Sequence, residues 1–87
     1  MTGTIHRQRT VYTEMLHDYD RAADAVLRRK AELQQQLRQI RIRTGGRGNQ
    51  RKQQELIRRI LLLRDELTDL QDAIRSIRFY AAQEVQS

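Results

Sequence analysis

The chain of 87 residues contains no cysteine, no proline and no tryptophan. Without cysteine there is neither a disulfide framework nor a thiolate zinc site. Without proline nothing forbids a helix anywhere along the chain. Only four glycines are present, and three of them, Gly45, Gly46 and Gly48, crowd into one short segment. Long apolar runs are missing as well. No run exceeds four residues, as in Ile60 to Leu63, where a membrane-spanning helix needs about 20. The first ten residues hold no apolar stretch of the kind that forms a secretory signal, so the cytoplasm is the expected location and a membrane is not an expected partner.

Catalytic chemistry is just as scarce. His6 and His17 are the only histidines, and Ser76 and Ser87 the only serines, so no nucleophile, base and orienting group can be assembled. His17 beside Glu14 or Asp18, and the outward series Asp65, Asp69 and Asp72, read as solvated side chains rather than metal ligands. Gly45-Gly46-Arg47-Gly48 follows a helical pattern instead of a strand and lacks the lysine and hydroxyl that end a phosphate loop. The expectation is a non-enzymatic protein with no cofactor, no metal and no small-molecule substrate.

What the chain does have is two apolar ladders. In the first half they run Tyr12, Leu16, Tyr19, Ala23, Val26, Lys30, Leu33, Leu37, Ile40; in the second, Leu56, Ile60, Leu63, Leu67, Leu70, Ile74, Ile77, Ala81. Steps alternating between four and three average 3.5 residues, which places each ladder along one side of a long helix as a coiled-coil seam. Only Lys30 interrupts them, with a stem long enough to lie along the seam while its ammonium reaches water or Glu66. The fold class expected is all-α: a helix over about 5–43 starting at Thr4 to Thr10, a turn over 44–49, and a helix over about 50–85. Gly45 suits the left-handed end of the first helix and Asn49 the cap of the second.

The two ladders test each other, because an antiparallel hairpin pairs residues whose numbers have a constant sum. With a sum of 93, Leu37 meets Leu56, Leu33 meets Ile60, Lys30 meets Leu63, Val26 meets Leu67, and so on out to Tyr12 with Ala81. The midpoint falls between Gly46 and Arg47, inside the glycine-rich segment. One rung further out, Arg9 would meet Glu84. On one flank of the seam the same geometry brings together Met15 with Tyr80, Ala22 with Ala73, Arg29 with Glu66 and Gln36 with Arg59.

Apolar side chains remain that a two-helix hairpin has no interior to hold. Small single cores supply only about 3–5 kcal/mol, so such residues are expected to be covered by association. The interface expected is Met15, Ala22, Leu27, Ile57, Leu61, Leu62, Ala73 and Tyr80, in a two-fold dimer forming a four-helix bundle.

Charge is uneven. The chain carries a net +6, and 15 of its 17 basic residues are arginine. Between Arg28 and Arg59 eleven basic residues face only two acidic ones, Glu32 and Glu55, a local +9; the remainder sums to −3. Arginine's planar fork matches phosphate and carboxylate groups. A tip holding Arg38, Arg41, Arg43, Arg47, Arg51, Lys52, Arg58 and Arg59 is therefore expected to bind nucleic acid, or an acidic protein surface. The few aromatics lie away from this tip, which favours backbone contact over base stacking. The alternative is an adaptor that docks another protein through the apolar flank.

Overall fold

The computed structural model describes residues 2–45 and 47–86, with side chains over 11–45 and 47–83. It consists of two helices, α1 over Thr2–Thr44 and α2 over Gln50–Gln86, packed against each other along their lengths. The Cα atoms span 65 × 14 × 14 Å, a rod. Helix α1 begins at Thr2, earlier than a threonine cap would place it, and runs through both Thr4 and Thr10. A threonine permits a helix to start but does not stop one, and no proline intervenes.

Burial follows the ladders. Ala23, Val26, Leu67 and Ile74 form one buried cluster, with Leu16, Tyr19, Leu63 and Leu70 packed on it. Leu33, Leu37 and Leu56 form a second, joined by Ile40, Ile60 and Leu63. Both clusters contain residues that the sum of 93 brings opposite each other, so the register read from the ladders is the observed one. Leu33 and Leu56, at 2% and 1% exposure, are the best-covered side chains. Leu63 belongs to both clusters and faces Lys30, which is half-buried on the seam.

The charge pairs in the polar part of one flank form within each helix. Arg29 binds Glu32 at 3.1 Å, not Glu66, and Arg59 binds Glu55 at 3.2 Å, not Gln36. Partners one turn away on the same helix require less ordering than partners across the hairpin. Lys30 makes no ion pair with Glu66 among the described residues. The expected Arg9–Glu84 pair and His6 lie outside the described side chains. Among the described residues no helix is long and apolar enough to cross a membrane.

Candidate polyanion-binding tip and apolar flanks

The turn is shaped by four residues, Thr44, Gly45, Gly48 and Asn49. Gly45 takes φ +64°, the left-handed conformation that ends a helix, with open space around it. Thr44 closes the last turn of α1 by donating its hydroxyl to the Ile40 carbonyl at 2.8 Å, and its own carbonyl accepts from Arg47 N–H at 3.3 Å. Asn49 opens α2 as expected, its carbonyl accepting the Gln53 N–H at 2.9 Å. Its backbone, however, is left-handed at φ 54°, where a capping residue is usually extended. Asparagine is among the few non-glycine residues that visit this region readily. Gly48 is required for space: a Cβ there would sit 2.8 Å from the Thr44 methyl carbon.

Gln53 locks this turn to both helices. It is 8% exposed and is the one buried polar side chain among the described residues. Its Nε2 donates to the Gly48 carbonyl at 2.7 Å, and its Oε1 accepts a long bond from Arg41 Nε at 3.5 Å. Gln53 is the seam partner of Ile40, since the two numbers also sum to 93. A search restricted to apolar rungs stops at Leu56 and misses it; the arithmetic that pairs the leucines would have named it.

All eight cations assigned to the tip are exposed. Arg59 is paired with Glu55, and Arg41 is held at Nε by Gln53, which leaves its two terminal nitrogens unengaged. Arg38, Arg43, Arg47, Arg51, Lys52 and Arg58 have no acidic partner among the described residues. They divide by position. Arg38 and Arg41 border an open groove of about 580 Å³ on one flank, whose walls include Gln34, Ile42, Ile57 and Leu61. Arg51 and Arg58 lie on the outer face of α2 with Gln54 and Glu55. Arg43, Lys52 and Arg59 occupy the heptad positions of the flank opposite the groove, and Arg47 sits on the turn itself.

The residues expected at an interface lie on both flanks of the seam. Leu27, Ile57 and Leu61 belong to the groove flank in the turn half, where Leu27 and Leu61 are 46% and 43% exposed. Met15, Ala22, Ala73 and Tyr80 lie on the opposite flank in the open half, beside exposed Val11 and with Phe79 edge-on to Tyr80 at 5.8 Å. Leu62, 63% exposed, is further round α2 on the side of that second flank. The apolar surface is thus diagonal: one patch near the tip on one flank, another near the open end on the other.

Asp65 is engaged by Arg64 at 3.6 Å, and among the described residues no group of three or more histidine, aspartate or glutamate side chains gathers where it could hold a metal. No family model, curated protein or solved structure matches the chain.

Proposed function

We propose that this protein is a non-enzymatic binding module, dimeric as a four-helix bundle, whose arginine-rich tip grips the phosphate backbone of a nucleic acid. The observation that carries this reading is the turn half of the hairpin, where six exposed cations, spread around Arg47 and the adjoining ends of both helices, lack acidic partners among the described residues. Helix ends and a glycine-containing turn leave little side-chain bulk between the arginines and a ligand. With no aromatic side chain among these cations, the contact is to phosphate and not to base, so affinity depends on salt more than on sequence.

The test is fluorescence anisotropy with labelled duplex and single-stranded DNA and RNA at two salt concentrations. Binding should weaken steeply as salt rises, with a log–log slope of at most about −5 per tip on duplex if all six unpaired cations engage. Joint replacement of Arg43, Arg47, Arg51 and Lys52 by glutamine should abolish it. No binding at the lower salt would end this reading.

A second reading is supported by the exposed patch of Met15, Tyr80 and Phe79 at the open end: an adaptor that docks another protein there. In that case Met15→Asp would abolish function while leaving any nucleic-acid affinity unchanged.

A further inference from the structure

The groove flank carries four stripes of residues at seven-residue spacing. On α1 they are Asp20, Leu27, Gln34, Arg41 and, beside them, Asp24, Ala31, Arg38; on α2 they are Ile57, Arg64, Gln71, Arg78 and Gln54, Leu61, Thr68, Arg75. The two recesses in this flank confirm the grouping, since one brings Gln34, Arg38 and Arg41 together with Ile57 and Leu61, and the other brings Asp20 together with Gln71, Arg75 and Arg78. Read toward the turn, both α1 stripes go from acidic through uncharged to basic.

Such a stripe is complementary to its own reverse. We infer that the occupant of this flank is a second copy of the chain, laid across it with the tips pointing in opposite directions about a two-fold axis at the height of Ala31 and Leu61. This inference rests on the dimeric part of the proposed function and not on nucleic-acid binding. In that arrangement α1 lies on α1 and α2 on α2. Asp24 meets Arg38 of the second copy, Asp20 meets its Arg41, Leu27 meets its Gln34, and Ala31 meets Ala31 on the axis. On α2, Leu61 meets Leu61, Ile57 lies on the aliphatic stem of Arg64, and Gln54 meets Thr68.

Two features support the placement. The centre of the charge pattern on α1, Ala31, was located without reference to α2, yet the seam register puts it level with Leu61, the exposed leucine at the middle of the α2 stripe. Small Ala31 on the axis also lets the two α1 helices approach closely, while the leucines of α2 fill the other side. Whole-chain charge selects the orientation. With opposed tips each +9 half lies beside the −3 remainder of the other copy, whereas with tips together two +9 halves would be adjacent; on the flank itself the complementarity is carried by Asp20 and Asp24 of α1, since α2 presents Arg64, Arg75 and Arg78 there and no acid. The like-charged meeting of Arg75 with Arg47 of the second copy falls at the rim, in water, where it is screened. The opposite flank is not self-complementary in this way, because the two-fold pairing that sets Met15 on Ala22 and Tyr80 on Ala73 also sets Asp18 against Asp18.

The pairing divides the cations. Arg38 and Arg41 serve the dimer, which leaves five unpaired cations, Arg43, Arg47, Arg51, Lys52 and Arg58, to a ligand and lowers the greatest salt slope per tip to about −4.5. Measured along the helix rise, the two tips end up about 45 Å apart on one rod.

Light scattering across a dilution series, combined with charge exchange, tests this. Wild type should be a dimer; Arg38→Glu alone and Asp24→Arg alone should each weaken association by about tenfold or more, and the double exchange should restore it. The absence of native cysteine makes single-cysteine variants clean probes. Ala31→Cys should cross-link to itself under mild oxidation, and Ala73→Cys on the opposite flank should not. A monomeric wild type would overturn dimerisation altogether. A dimer that shows neither Ala31→Cys cross-linking nor rescue by the double exchange would overturn this flank while leaving dimerisation standing.

Discussion

Among individual residues, Leu33 and Leu56 contribute most to stability per side chain and Gln53 most to shape. Leu56→Ala opens a cavity in the cluster next to the turn and should cost about 2–5 kcal/mol, a large share of what a chain of this size holds, so loss of helical circular dichroism at moderate urea is the expected result. Gln53→Glu keeps the size of the side chain and its acceptor toward Arg41 but replaces the donor to the Gly48 carbonyl with an acceptor. It should destabilise by about 1–3 kcal/mol, read as a lower urea midpoint at unchanged slope. Gly48→Ala sets a methyl group against Thr44 and should also destabilise; adding Thr44→Ser, which removes the methyl carbon at 2.8 Å but keeps the Cβ at 3.0 Å, should recover part of the loss. A Gly48→Ala midpoint equal to wild type would show that the turn adapts more easily than its geometry indicates.

The two helices themselves were legible in the sequence because their seams obey one arithmetic rule, and the clusters around Val26 with Leu67 and around Leu37 with Leu56 follow it. Less was legible where a residue had a choice of partners. Arg29 and Arg59 each bind a carboxylate about one turn away on their own helix, which the seam arithmetic does not address, and α1 ran on to Thr2 because a capping residue marks where a helix is able to begin, not where it must. The candidate site was legible as a composition, arginines gathered at one end, and the heptad spacing that sets Arg41 in line with Leu27 and Gln34 separates the groove pair Arg38 and Arg41 from the cations facing elsewhere; the groove that Arg38 and Arg41 border was not legible, because it depends on the side chains of both helices. Lys30 is a test of the seam as an element. It lies at the height of Ala31 and Leu61, one heptad position round from the groove flank, so in the proposed dimer two copies would approach each other there with a lysine each. Lys30→Leu should raise stability by on the order of 1 kcal/mol through added apolar burial and tighten association, both visible in thermal melts at two protein concentrations. A higher melting temperature with no concentration dependence would separate the seam from the dimer.

At the scale of the whole molecule, separation of charge decides behaviour. A rod that is +9 over one half and −3 over the other has a large dipole, and raising salt should weaken both self-association and polyanion binding. The two responses are separable, because the quadruple replacement of Arg43, Arg47, Arg51 and Lys52 should abolish polyanion binding while leaving the dimer's mass at low salt unchanged. In the proposed dimer two cationic tips about 45 Å apart suit bridging of two strands or two segments of one strand, and single-molecule tethering of DNA at low salt is the direct readout.

The meeting of the two core clusters at Leu63, opposite Lys30, gives the rod a weak joint halfway along. Contacts in the turn half close short loops and those in the open half close long ones, so the chain should zip from the turn outward. Amide exchange should therefore show a step instead of a smooth gradient, slow from Leu33 to Ile60 and faster beyond Val26 and Leu67. Mechanically the molecule is two stiff segments coupled in series, and pulling on its termini should release the open segment first while the turn segment stays shut.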